Sequence, residues 1–298
     1  MRLTTLFAAL LTLLIAAQPA AARITAQQAI ASDPAPDPKF PARLEVIHVP
    51  SGGGMFYGAV MVAAGEGPHP TFVLFHGLPG NEKNLDLAQA IRRAGWTVVT
   101  LNYRGSWGSP GSYRFAGDLE DARSVLAYIR DPANAKRLGI DPKRIAIGGH
   151  SLGGWVTAET AAGDDGLLGA VMISAGDLGL AGQMAAQNRP AIVAFMNDSR
   201  ETLADTDGDR MTDELMAHGA EWSFAAAAPK LKDRRLLVLY GDDFVTAQSV
   251  DLVKQIKAAG GGAKMQVVHV ATDHSWSDHR IALETLVIDW LQGLLVKG

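Results

Sequence analysis

The residues Gly149–His150–Ser151–Leu152–Gly153 follow the apolar run 144–148 and precede a helix-like segment, 152–162. A G-x-S-x-G turn between a strand and a helix bends sharply and leaves the serine hydroxyl exposed. The turn is so tight that side chains two residues before and after the serine would collide, which explains glycine at 149 and 153. Ser151 also stands at the start of the next helix, whose dipole favours developing negative charge. An incidental serine in a Gly-rich turn is the bland alternative, and the strand-before, helix-after setting argues against it. The chemistry suggested is nucleophilic attack on an acyl carbon. That chemistry needs two donors for the oxyanion. One is expected from the backbone N–H of Leu152. The other is expected from Phe75–His76–Gly77–Leu78–Pro79–Gly80, through the N–H of Leu78. His76 itself reads as a packing residue that holds this loop.

A serine hydroxyl is a weak nucleophile until a base takes its proton. Two later apolar runs end in suitable residues. Residues 236–240 lead into Gly241–Asp242–Asp243–Phe244–Val245, and residues 266–270 lead into Ala271–Thr272–Asp273–His274–Ser275–Trp276. His274 is the expected general base because it lies in a loop. His269 falls inside a strand, and His279 opens the last helix. Asp242 and Asp243 compete for the acid, and one of them should be a solvated turn residue.

These groups come from distant parts of the chain, so a scaffold must bring them together. Residues 44–49 and 56–63 read as two strands joined by the Ser51–Gly52–Gly53–Gly54 turn. From there strands at 71–75, 97–102, 144–148, 168–174, 235–240 and 264–270 alternate with helices at 84–94, 118–130, 152–162, 246–259 and 278–296. Alternating βαβ units imply an α/β fold with a mostly parallel sheet and helices on both faces. Ligands bind such sheets outside the carboxyl ends of the strands, where all the candidates above fall. Residues 177–233 break the rhythm and read as a small helical cap-like insertion over the site.

Composition adds bounds. The 298 residues carry 27 Lys plus Arg against 31 Asp plus Glu, a formal charge of -4, which gives no electrostatic reason to expect nucleic acid or an anionic membrane as partner. With no cysteine in the chain, a disulfide, a zinc-thiolate site and a thiol nucleophile are excluded. Arg2, the apolar stretch 6–16 and Ala20–Ala21–Ala22 form a signal-peptide pattern. Residues 1–22 are expected to be removed, giving a secreted or periplasmic protein that starts at Arg23 and has no membrane span. Residues 23–43, with several prolines, read as an extended lead-in to a single domain at 44–298.

The sequence resembles the α/β-hydrolase superfamily, close to the dienelactone-hydrolase and prolyl-oligopeptidase catalytic-domain groups. The resemblance is carried by Phe75–His76–Gly77–Leu78–Pro79–Gly80, Asn102–Tyr103–Arg104–Gly105–Ser106, Gly149–His150–Ser151–Leu152–Gly153–Gly154 and Asp273–His274. It covers residue 44 onward except 177–233. It implies hydrolysis of an ester, thioester or peptide through an acyl-enzyme, with no cofactor, in the chain order Ser, acid, His. On that pattern Asp243 is preferred as the acid, because Phe244–Val245–Thr246 resembles the segment that follows it in this fold. The chain departs from the dienelactone enzymes in having serine rather than cysteine as nucleophile, and no propeller precedes the hydrolase. A small-molecule ester is therefore the expected substrate. A short peptide is the alternative, and a binding protein on an inactive scaffold is the rival of another class.

Two weaker signals remain. Asp205, Asp207 and Asp209 alternate as in a calcium loop, but Arg210 replaces the glycine of the turn and Met216 stands where the bidentate glutamate belongs. An acidic surface loop with no metal is the preferred reading. Tyr103, Arg104, Ser106, Trp155 and Trp276 flank the candidate residues, and core or loop packing is preferred for them over a substrate pocket.

Overall fold

The computed structural model describes residues 24–296, so the signal-peptide pattern and its cleavage site lie outside the described residues. In chain order the elements are α1 (Ala26–Ala31), β1 (Arg43–Ser51), β2 (Gly54–Val62), β3 (His69–Phe75), α2 (Leu85–Arg93), β4 (Thr97–Asn102), α3 (Phe115–Arg130), α4 (Pro132–Leu138), β5 (Ile140–His150), α5 (Leu152–Gly163), β6 (Gly169–Ile173), α6 (Leu178–Gln187), α7 (Arg189–Asp198), α8 (Gly208–His218), α9 (Phe224–Leu231), β7 (Leu236–Tyr240), α10 (Thr246–Ala258), β8 (Met265–His269) and α11 (Arg280–Leu294).

The strands form one sheet in the order β1-β2-β4-β3-β5-β6-β7-β8. β2 runs antiparallel to β1 and β4, and every pairing from β4 to β8 is parallel. The apolar runs of the central strands are buried on both faces, as parallel sheets require. Alternate residues feed two cores. Val73, Phe75, Ile145, Ile147, Met172 and Val238 pack with α3, α5, α9 and α10. Phe72, Leu74, Ala146, Val171 and Leu239 pack with α1, α2 and α11. The parallel strands therefore end together on one edge, and that edge carries the candidate site.

Three readings are corrected by the structure. The lead-in is not wholly extended, since it contains α1. Thr25 and Gln28 form a reciprocal capping box, Ala26 and Ala29 are buried, and Arg93 Nε donates to the Ala29 carbonyl. Helix α3 starts at Phe115, three residues earlier than its own sequence suggests, because Glu214 of α8 accepts from the N–H groups of Phe115 and Ala116 at 3.1 and 2.9 Å. Helix α4 has no counterpart in the sequence reading, although Asp131 caps it, Pro132 opens it and Gly139 closes it in a left-handed conformation.

Residues 177–233 fold into α6, α7, α8 and α9 between β6 and β7. The last of these is not a separate cover. Phe224, Ala227, Ala228 and Leu231 of α9 belong to the main core beside α5 and α10. The loop between α7 and α8 crosses to the site edge, where Trp107 N–H donates to the Thr202 carbonyl at 3.1 Å and Thr202 Oγ1 donates to the Pro79 carbonyl at 3.0 Å.

Candidate active site

Ser151 joins β5 to α5 at φ 57° and ψ -119°, a strained conformation for a residue with a side chain. Both flanking glycines are sterically required. A Cβ on Gly149 would lie 2.2 Å from the Gly153 carbonyl oxygen, and one on Gly153 would lie 2.2 Å from that of Phe75. A Cβ on Gly77 would lie 3.0 Å from Ser151 Cβ, so the loop after β3 runs directly beside the serine. Among the described residues, neither Leu78 N–H nor Leu152 N–H donates to a protein acceptor, which leaves both amides available at this turn. The loop is held from behind. His76 is buried, its Nδ1–H donates to the Gly77 carbonyl at 2.8 Å, and burial pushes its pKa down to about 4, so the ring is neutral. Tyr103 OH donates to the His76 carbonyl, and Trp107 Nε1–H donates to that of Pro79 at 2.7 Å.

The acid and the base meet. His274 Nδ1–H donates to Asp243 Oδ2 at 2.9 Å. The Asp243 side chain is only 3% exposed, whereas that of His274 is 22% exposed. Burial pushes the Asp243 pKa up, but hydrogen bonding, led by that from His274 and including the Val245 N–H, outweighs it and holds the carboxyl down at about 2. Val245 N–H donates to the other oxygen, Oδ1, at 2.9 Å. The competitors are paired elsewhere. His269 contacts Asp242 at 2.7 Å with both side chains exposed, and His279 contacts Asp278 at 2.9 Å.

The base is tied to the nucleophile turn through His150. The His150 and His274 rings lie 4.7 Å apart, and His150 Nε2–H donates to the His274 carbonyl at 2.7 Å. Burial, with the neighbouring His274 second, lowers the His150 pKa to about 4, which keeps it a neutral donor. Ser151 Oγ and the His274 ring share no direct hydrogen bond among the described residues. Such contacts commonly tighten only when substrate arrives. Phe244, 69% exposed, lies against the His274 ring at 4.5 Å between centroids.

Sequence reasoning missed His150 as a support of this site, because it stands at the variable position of the serine motif. The other flanking residues are packing groups. Tyr103, Ser106, Trp155 and Trp276 are fully buried, and Arg104 pairs with Asp121 at 2.7 Å and with Glu120 at 2.5 Å. In the acidic segment, Asp207 caps α8, Arg189 donates to Asp209 and Asp213 at 2.7 Å each, and Ser112 Oγ donates to Asp205.

The alpha/beta hydrolase family model matches residues 72–283, most of the chain and every element that carries the site. The chain belongs to the alpha/beta hydrolase family. Over shorter stretches it is 35% identical across 100 residues to an AB hydrolase superfamily protein of Schizosaccharomyces pombe, covering 32% of this chain and 28% of that protein. It is 38% identical across 64 residues to arylacetamide deacetylase of Bos taurus, covering 22% and 15% of the two chains. The matched stretches therefore span less than a third of these relatives. Among solved structures, an esterase of Pyrobaculum calidifontis superposes with a TM-score of 0.64 at 18% identity, covering 87% of this chain and 88% of that one. A carboxylesterase cloned from a metagenomic library gives 0.65 at 20% identity, covering 90% and 92%. An acylaminoacyl peptidase of Pyrococcus horikoshii gives 0.63 at 17% identity, covering 86% of this chain and 42% of that one. At these identities the likeness is one of fold, and it agrees with the mostly parallel eight-stranded sheet of this hydrolase.

Proposed function

We propose that this hydrolase cleaves carboxylic esters of small to moderate size through an acyl-enzyme on Ser151, with His274 as general base and Asp243 as its partner. The observation that carries the reading is the buried 2.9 Å contact between His274 Nδ1 and Asp243 Oδ2, on a loop tied through His150 to the strained Ser151 turn. Asp243 fixes the Nδ1–H tautomer and leaves Nε2 free to accept the serine proton. Ser151 Oγ attacks the ester carbonyl as that proton moves to Nε2. The resulting oxyanion accepts from the N–H groups of Leu78 and Leu152, a contribution of roughly several kcal/mol to the barrier. The imidazolium protonates the departing alcohol, and water, deprotonated by the same ring, releases the acid.

The preference for an ester over a peptide is supported by the two esterases among the chain's fold neighbours. Export by a cleaved leader belongs to the same proposal and rests on the pattern in residues 1–22. The test is turnover of p-nitrophenyl acetate and butyrate by the wild type and by Ser151→Ala. Turnover by the wild type alone is expected. Equal rates from both proteins contradict the mechanism, and cleavage of aminoacyl-naphthylamides without ester turnover contradicts the substrate class.

A further inference from the structure

The Pro79 carbonyl lies one residue beyond Leu78, whose N–H is one of the two oxyanion donors of the proposed mechanism. It accepts twice. Trp107 Nε1–H donates to it at 2.7 Å and Thr202 Oγ1–H at 3.0 Å. A carbonyl oxygen has two lone pairs, so both are taken. On the other side of Leu78, the Gly77 carbonyl accepts from His76 Nδ1–H at 2.8 Å. That carbonyl shares a planar peptide unit with the Leu78 N–H, so fixing one aims the other. Between the two anchored carbonyls the Pro79 ring locks its own φ, and only Leu78 φ and ψ and Pro79 ψ stay soft. The direction of the Leu78 N–H is therefore set from both ends.

The two donors on Pro79 are themselves held. Trp107 sits at φ 50°, a left-handed angle that is costly for a residue with a Cβ, and it is 38% exposed, so core burial does not account for it. Lys83 Nζ lies 4.2 Å from the centre of its ring and donates to Asn102 Oδ1 at 2.8 Å, while Asn102 Nδ2 donates to the Trp107 carbonyl at 3.2 Å. Thr202 stands in the loop between α7 and α8, inside the insertion 177–233. That loop is fastened to the one after β4. Trp107 N–H donates to the Thr202 carbonyl at 3.1 Å, Ala204 N–H donates to the Gly105 carbonyl at 2.7 Å, and Ser106 and Leu203 form an antiparallel bridge. It is fastened to the loop after β3 as well, where Asn81 Nδ2 donates to Glu201 Oε1 at 3.1 Å.

We propose that Thr202 and Trp107 are positioning residues that hold the Leu78 N–H as an oxyanion donor, so that the helical insertion takes part in the chemical step through one loop. The proposal rests on the acyl-enzyme reading above. Both residues act through the Pro79 carbonyl.

The test compares Thr202→Val, Thr202→Ser, Trp107→Phe and the Thr202→Val, Trp107→Phe double variant with the wild type and with Ser151→Ala. Valine keeps the shape of threonine without the hydroxyl, and phenylalanine keeps a ring beneath Lys83 without the N–H. Each single loss should lower kcat for p-nitrophenyl butyrate by about 3- to 10-fold, the worth of one neutral hydrogen bond. The double variant should lose about 10- to 100-fold, approaching the loss of a whole oxyanion donor. KM should stay within about twofold, because the donor acts in the transition state. Trifluoroacetophenone forms a tetrahedral adduct with a reactive serine, and its oxyanion uses the same two N–H groups. Its Ki should therefore rise by the factor by which kcat falls. Thr202→Ser, which keeps the hydroxyl, should recover most of the loss seen with valine. A double variant that melts like the wild type and keeps its kcat and Ki overturns the proposal. So does a fall in kcat with an unmoved Ki, or a Thr202→Ser variant as impaired as Thr202→Val. If Ser151→Ala still turns over ester, the acyl-enzyme reading fails instead, and the two failures are thereby distinguished.

Discussion

Asp243→Asn isolates the part of the mechanism that the structure defines most sharply. The two carboxylate oxygens have different neighbours. Oδ1 accepts from the Val245 N–H at 2.9 Å, and Oδ2 accepts from His274 Nδ1–H at 2.9 Å. An asparagine amide cannot turn its NH2 toward the Val245 N–H, because two donors would then face each other. Its oxygen must replace Oδ1, which puts the NH2 against His274. Nδ1 is then forced to accept, the ring proton moves to Nε2, and the nitrogen meant to receive the serine proton already carries one. The expected loss in kcat is about four orders of magnitude, or about 5.5 kcal/mol on the barrier, with the fold intact. Steady-state hydrolysis of p-nitrophenyl butyrate at pH 7 to 8, with a melting curve on the same sample, reads both quantities. A folded Asp243→Asn variant within tenfold of wild type would show that His274 does not depend on this carboxylate, and the assignment would be wrong.

Other outcomes follow from the same geometry. Gly149→Ala should yield little folded protein or lose ester turnover, since its Cβ would lie 2.2 Å from the Gly153 carbonyl oxygen; soluble variant with full activity would refute the tight turn. Burial lifts the Glu159 pKa to about 7 from the usual 4.5. The folded state therefore holds a proton that the unfolded state releases, and stability falls as pH rises from about 4.5 through 7, by about 3 kcal/mol in all. Glu159→Gln should recover most of that at pH 8 and little at pH 4.5 in urea titrations, and an equal effect at both pH values would contradict it. His150 runs the other way, because its pKa is lowered to about 4. Its contribution is complete above the ordinary histidine range and is lost as pH falls from there through 4, so acid unfolding should begin later in a His150→Gln variant. Expression with the full leader should give a mature chain whose first residue by N-terminal sequencing is Arg23; an intact Met1 in the exported fraction would rule out cleavage there.

Much of this architecture was legible because the central strands are buried on both faces. Runs such as residues 71–75 and 236–240 can satisfy both cores only as parallel strands, and the chemistry-bearing residues fall just after such runs. The choice of Asp243 over Asp242 could not be made from the residues alone, as both follow β7 within one turn. What separates them is tertiary, since Asp242 faces outward to His269 while Asp243 is enclosed. Long-range caps were equally hidden. Nothing near Phe115 announces a helix start, because the capping carboxylate arrives from Glu214 of α8. By contrast the Thr25–Gln28 box and the Asp131–Pro132 start were local signals, outweighed by the prolines around them in one case and by the short length of the helix in the other. The left-handed backbone at Ser174 and Trp276 was equally hidden, because neither residue type favours such a conformation by itself.

The central claim is that one hydroxyl, made reactive by one imidazole, forms the acyl-enzyme. Intact-mass measurement after exposure to a fluorophosphonate tests it most directly, followed by mapping of the modified peptide. The account predicts a single adduct on Ser151, absent in Ser151→Ala and formed far more slowly in His274→Ala. A folded protein that takes up no label, or carries it at another serine, would contradict the account.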